Sequence, residues 1–216
     1  MYVDIKIPSV EEYANGFPQY WMKRVFINSI SINFQINALT TTYVRLVEVA
    51  LMEYRLGQIK LNEFWANHSS LGLGSMHRGI AHFENCISSM HRAIECYKRL
   101  RNHSELAKLS AVLNSPKPSF IKARISDQLR NIRNEIHHLE AHVMGGIIQE
   151  GQPIALMCTG SETIHPTEIN QTIKTIDRLA IGQYELFFSD IATWLIEMGG
   201  YAEKISLYEP NQEALS

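Results

Sequence analysis

The stretch Met76-His77-Arg78-Gly79-Ile80-Ala81-His82-Phe83-Glu84-Asn85-Cys86-Ile87-Ser88-Ser89-Met90-His91-Arg92-Ala93-Ile94-Glu95-Cys96-Tyr97 carries two interleaved seven-residue repeats. Ile80, Ile87 and Ile94 form one; Met76, Phe83, Met90 and Tyr97 form the other. Together they lay a heptad seam along a helix, the mark of a helix packed nearly antiparallel in a bundle. His77, Glu84 and His91 also recur every seven residues, about 10 Å per step. At that spacing they cannot meet at one metal ion and instead flank the seam, with Glu84 placed to approach a helix across the bundle. Cys86 and Cys96 on the same helix read as core residues rather than nucleophiles.

Outward from this helix, the pattern Leu39, Tyr43, Leu46/Val47, Ala50/Leu51, Tyr54 keeps helical spacing and predicts a helix that stops at Gly57. Residues 67–74 read as a Ser/Gly-rich loop. A short helix is expected near 105–114, followed by breaks at Pro116 and Pro118. A long helix is then predicted over 119–143, ending at Gly145–Gly146. Pro166–Thr167 opens a final long helix, about 167–198, that ends at Gly199–Gly200. Two stretches alternate with period two and read as strands: Val3, Ile5, Ile7, and Ile30, Ile32, Phe34, Ile36. A turn signal at Glu150–Gly151 predicts a β-hairpin near 146–158. The fold class is mainly α: a bundle of four to five helices with a small β appendage. It forms one domain over 1–203 with a loose tail over 204–216.

Composition bounds the function. Of 216 residues 45% are hydrophobic and 19% charged, a globular balance. No apolar run reaches the ~18 to 20 residues of a membrane span, and residues 1–8 lack a basic and then apolar leader, so the expectation is a cytoplasmic protein with no membrane partner. Three cysteines (Cys86, Cys96, Cys158) without CxxC spacing argue against a disulfide framework and a structural zinc site. The Asn-x-Ser/Thr triplets at Asn67, Asn102 and Asn170 then read as chance matches. There is no phosphate-binding glycine fingerprint and no Ser/His/Asp elbow. The net charge of −2 is unevenly spread. From Arg92 to Arg133 there are ten Lys/Arg against three acids, a net +7 that leaves −9 for the rest. This is either a basic face for a polyanion or two solvated helix faces that never meet. Lys117, Lys122 and Arg124 are the candidate cations in it for binding such a polyanion.

The residues with the most chemistry are Asp127-Gln128-Leu129-Arg130-Asn131-Ile132-Arg133-Asn134-Glu135-Ile136-His137-His138, with His142 one turn later. On a wheel at 100° per residue, Ile125, Leu129, Ile132, Ile136, Leu139 and Val143 share an arc of about 80° that must face the core. Arg130, Asn134, His137 and His138 gather opposite, with Arg133 and His142 at the margins. A plain solvated face would hold Glu and Lys in ion-pair spacing, and this one has few acids. RNA can be cut without metal when a base removes the 2′-OH proton and an acid protonates the leaving 5′-oxygen; histidine suits both roles. A fixed arginine fork supplies the donor for the extra charge of the transition state.

Arg133-Asn134-Glu135-Ile136-His137-His138 resembles the Arg-polar-x-x-x-His signature of the HEPN superfamily, helical bundles that include many metal-independent endoribonucleases of toxin, antiviral and RNA-processing systems. The resemblance implies that Arg133 and His138 are the catalytic pair, with Asn134 as the adjacent polar residue; Arg130 and His137 fit a looser register of the same signature. It implies no cofactor and no metal, RNA as substrate, a homodimer with the motif at its interface, and an antitoxin or nucleotidyltransferase-type partner. The alternative within the same resemblance is a non-catalytic dimer that binds a nucleotide, RNA or a partner protein. Helical geometry also favours a dimer: Arg133 and His138 point about 140° apart on one straight helix, so two copies across a twofold axis would share the site. Two metal readings compete. Glu135-x-x-His138 matches a di-iron element, but the second match, Glu162-x-x-His165, falls in the hairpin region, and Glu135 is expected to point away from the core. His138 and His142, four apart, lack a third ligand. His142 by itself reads as a surface or capping histidine.

Overall fold

The structure, a computed structural model, describes residues 1–27, 33–66, 73–103 and 107–208. Its frame is a pair of long helices, α2 (Phe34–Ala66) and α3 (Leu73–Arg101). Tyr43 meets Tyr97 and Tyr54 meets Phe83, with ring centroids 5.3 and 5.9 Å apart, while Cys96 Sγ donates to the Leu39 carbonyl. Residue numbers rise along one helix as they fall along the other, so the pair is antiparallel, as the heptad seam predicts. Phe83, Ile87, Met90, Ile94 and Tyr97 of that seam are all fully buried.

α2 begins and ends elsewhere than its sequence pattern suggests. The expected strand at Ile30–Ile36 is corrected from Phe34 onward, where the chain is helical; Ile30 and Ile32 lie outside the described residues. Asn33 starts the helix, its Oδ1 accepting from the Gln35 and Ile36 amides at 2.8 and 3.3 Å, the usual use of asparagine at an N-cap. Gly57 does not end α2. A Cβ there would sit 2.9 Å from the Phe83 ring, and one on Gly79 would sit 3.3 Å from the Gly57 carbonyl, so the two glycines allow the helices to approach closely. The expected loop at 67–74 lies outside the described residues up to 72; Leu73 and Gly74 already belong to α3.

Helices α1 (Pro18–Ile27), α4 (Ala107–Asn114) and α7 (Phe188–Leu207) complete one side of the bundle. α7 is anchored by Tyr43, whose hydroxyl donates to the Met198 carbonyl at 3.0 Å. It also carries Glu197, which accepts from the Ser119 and Phe120 amides at 2.7 and 3.2 Å and fixes a 3-10 turn at Ser119–Ile121. The single helix expected over 119–143 is divided after this turn into α5 (Ala123–His137) and α6 (Leu139–Met144). Lys122 is extended, and His138, with φ −119° and ψ 21°, leaves the helical region.

The β appendage is larger than expected and differently placed. The predicted hairpin at 146–158 does not form. Residues 145–156 are turns, with Gly146 and Gly151 at positive φ, and the only strand there is β2 (Met157–Thr159). The predicted helix over 167–198 is helical only from Phe188. Ahead of it come β3 (Glu162–Ile164), β4 (Thr172–Ile176), β5 (Arg178–Ile181) and β6 (Tyr184–Phe187). Thr172, Ile173, Thr175 and Ile176 are β-branched and suit a half-buried pleat. Gly182, at φ +53°, begins the two-residue turn that pairs Ile181 with Tyr184. One sheet has the order β1–β4–β3, where β1 (Tyr2–Ile5) is the predicted N-terminal strand and runs parallel to β4; the other has the order β2–β5–β6. The expected helix end at Gly199–Gly200 is also corrected: α7 runs through both glycines to Leu207, so residues 204–207 of the expected loose tail are helical, and residues from 209 onward are not described. Among the described residues no helix is long and apolar enough to cross a membrane.

Candidate functional site

α5 carries the Arg–Asn–x–x–x–His run and lies between α3 on one flank and the β5–β6 hairpin on the other. Leu129 and Ile132 are fully buried and fix its rotation. Three points tie it to α3 in a constant antiparallel register. Lys98 Nζ donates to Ser126 Oγ at 2.6 Å, His91 and Arg133 line one cleft, and Ser88 Oγ lies 3.5 Å from His137 Nε2. On the other flank Gln128 Nε2 donates to the Glu185 carbonyl at 2.9 Å. The same register sets Glu84 one turn beyond Ser88, level with the α5–α6 junction. Glu84 is half-buried without a hydrogen bond or ion pair among the described residues, and burial raises its carboxyl above the usual range.

Arg133 and His138 do not meet within one chain. Arg133 is half-buried, its Nη1 donating over 3.4 Å to Asn134 Oδ1, and it lines an open cleft of about 510 Å³ with Leu39, Thr42, Leu46, His91, Arg92, Glu95, Cys96 and Arg99. His138 is exposed at the break after α5, where its amide still donates to the Asn134 carbonyl at 2.8 Å. It lines a shallow depression with Ile136, His137, Leu139, Glu140 and Ala141.

Behind His138 sits an arrangement that the wheel assigned to the wrong face. Glu135 does not point away from the core: it is 5% exposed, and its Oε2 lies 2.7 Å from Nδ1 of His142. The wheel accounted for a helical bundle alone, whereas the Gly182 turn covers this flank; a Cβ on Gly182 would lie 3.8 Å from Glu135 Oε2. His142 is therefore a carboxylate-held histidine rather than a surface one, and its ring centroid is 6.0 Å from that of His138.

The remaining candidates disperse. Arg130 pairs with Asp127 at 2.9 Å and His137 stands exposed beside Ser88. Lys117, Lys122 and Arg124 are exposed at the opposite end of α5 from His138, roughly 20 Å away along the axis for Arg124. Glu162 and His165, the second half of the di-iron reading, lie on and just after β3, while Glu135 is occupied by His142. Among the described residues no three His, Cys, Asp or Glu side chains are grouped to hold a metal ion.

What the sequence reading missed is the convergence of His91, Arg92 and Arg99 with Arg133. Arg92 and Arg99 are seven apart on the heptad helix, so their shared face was legible; the identity of the helix opposite was not. Burial first, and then Arg133, Lys98 and Arg130, hold the His91 imidazole below its usual range, opposed by Glu95. The hydrogen bond from Lys98, at 2.8 Å, holds the Glu95 carboxyl below its own. The two basic helix faces do meet in space. No protein-family model, curated protein or solved structure matches the chain.

Proposed function

We propose that this chain is a metal-independent endoribonuclease of HEPN type that works as a homodimer, with Arg133, Asn134 and His138 as its catalytic residues. The observation that carries the reading is the presentation of His138. It stands exposed on a helix break, beside a histidine held by a buried carboxylate, at the end of the helix that carries Arg133. Histidine acid–base chemistry accounts for the whole reaction. The 2′-oxygen loses its proton to a base and attacks phosphorus; the P–O5′ bond breaks; the departing 5′-oxygen takes a proton from an acid. The ends are a 2′,3′-cyclic phosphate and a 5′-hydroxyl. An arginine fork on the non-bridging oxygens stabilises the added charge.

Because Arg133 and His138 face different surfaces of one chain, the reading needs a second copy, each contributing part of the site across a twofold axis. Val143, Met144 and Ile147, exposed on and just after α6 beside His138, supply apolar surface for such a contact. Incubation with RNA in EDTA tests the chemistry. Cleavage should persist and leave cyclic phosphate ends, and Arg133→Ala and His138→Ala should each slow it about 10²-fold or more. Activity that vanishes on chelation and returns with magnesium refutes it; damage confined to Arg130→Ala and His137→Ala moves the site to the other register. One observation favours a second reading, a non-catalytic RNA- or nucleotide-binding dimer: within one chain Arg133 keeps company with arginines and His91 rather than with His138. Absence of cleavage together with RNA binding that depends on Arg133 selects it.

A further inference from the structure

We infer that the cleft between α2, α3 and α5 is a holding site for the phosphates of the RNA strand beside the cut bond, with Arg92 and Arg99 as positioning residues at its mouth and Arg133 at its inner end. The inference rests on the ribonuclease reading, and its test separates the two.

The first argument is electrostatic. Arg55, Lys60, Arg130 and Arg178 each have a carboxylate within 3.2 Å. Arg92 and Arg99, exposed on one face of α3, have neither a hydrogen bond nor an ion pair among the described residues, yet they line the same cleft as Arg133. Among the described residues the one acid lining it is Glu95, which Lys98 engages at 2.8 Å and which also attracts Arg99, a single carboxylate against several cations. Three fixed cations facing one concavity repel each other unless an anion lies between them, and arginine's planar fork matches phosphate oxygens.

The second argument is geometric. Seven residues on α3 separate Arg92 from Arg99 by about 10 Å along the axis. Two forks rooted that far apart can each hold a different phosphate of one strand, through side chains long enough to take up the difference from the phosphate spacing. The volume of about 510 Å³ is that of a site for a small ligand or a nucleotide unit. Leu39, Thr42 and Leu46 of α2 form an uncharged opposite wall, so a sugar or base lies there without an unpaired charge.

His91 gives the site a pH signature. Its imidazole faces Glu95, Lys98 and Arg92 on its own helix and Arg130 and Arg133 on α5, while α2 brings no charge to the cleft. A phosphate placed among the arginines favours the protonated imidazole, so binding takes up a proton and tightens as the pH falls toward the lowered value of the free site.

The test is binding of a 2′-O-methyl RNA octamer, which lacks the attacking hydroxyl, measured by fluorescence anisotropy across a salt series, alongside cleavage of the matching RNA. Arg92→Ala and Arg99→Ala should each weaken octamer binding about tenfold and flatten the log K against log salt slope by about 0.7, the share of one phosphate contact on a single strand. Arg99→Lys should keep that slope. Glu95→Gln should tighten binding, and His91→Gln should abolish its pH dependence. In cleavage, the two alanine variants should raise KM more than they lower kcat. Unchanged KM and salt slope in an active ribonuclease overturn this inference and leave the ribonuclease reading intact. Octamer binding that depends on Arg99, with no cleavage of any RNA, sustains the cleft and removes the ribonuclease. Binding of ATP or inorganic phosphate that depends on Arg99, with no effect of Arg99 on the octamer, overturns the strand assignment in favour of a free nucleotide.

Discussion

Glu135 is withdrawn from water beneath the Gly182 turn, and the nearest polar atom of another side chain is Nδ1 of His142 at 2.7 Å. Removing one partner of such a pair leaves the other buried and unsatisfied, at a cost of about 1–3 kcal/mol and more when it is charged. His142→Ala should therefore lower stability by at least that amount in urea unfolding, whereas His138→Ala, at an exposed position, should stay within about 0.5 kcal/mol. Equal effects of the two would mean that the Glu135–His142 contact contributes nothing. The same pair explains why α6 exists as a separate turn. His142 must reach back to a residue seven positions earlier, which one break at His138 permits. Stability should also respond to His91. Its folded-state affinity for a proton lies below the ordinary value near 6.5, so the unfolded chain binds more protons there. This contribution is intact above about pH 6.5 and is lost as the pH falls through the lower, folded-state value.

At the scale of elements, the contact between α2 and α3 depends on how closely two backbones can lie. Gly57→Ala would set a Cβ 2.9 to 3.0 Å from three atoms of the Phe83 ring, which is itself locked between Tyr54 and Phe188. The helical preference for alanine returns up to about 1 kcal/mol, and overpacking removes about 1–3, so a net loss is expected in chemical denaturation; a more stable variant would show that Phe83 can move. The seam that pairs these helices was legible because a seven-residue period survives in one dimension. The strands between 172 and 187 were not. Their Thr/Ile run is short, it is interrupted by Lys174, Asp177 and Arg178, and its partners lie far off in the chain, β1 above all. Gly182–Gln183 does carry the signature of a two-residue hairpin turn, but it falls within the span whose spacing predicts the final helix. The candidate site divides in the same way. The row of arginines and histidines on α5 follows from spacing alone, whereas burial of Glu135 and the approach of Arg92 and Arg99 to Arg133 depend on what packs against each flank.

At the scale of the molecule, the described residues of the +7 segment lie mostly on α3, α4 and α5, and the antiparallel register of α3 and α5 brings part of that charge together around one cleft. The proposed chemistry needs two such molecules. Light scattering at micromolar concentration should give twice the chain mass, and mixing inactive Arg133→Ala with inactive His138→Ala should restore cleavage through mixed dimers. A monomer that cleaves RNA would refute the shared site. The parallel pairing of β1 with β4 has a consequence of another kind. Tyr2 waits for Ile173, so a ribosome adding 5–20 residues per second leaves this strand without its partner for roughly 10 to 30 s. The α2–α3 hairpin can close during that interval from neighbours already made. Throughout it the strand is an open edge to any other nascent chain, and the alternation of Asp4 and Lys6 with Val3, Ile5 and Ile7 puts charge where a stray strand would otherwise find a flat apolar partner.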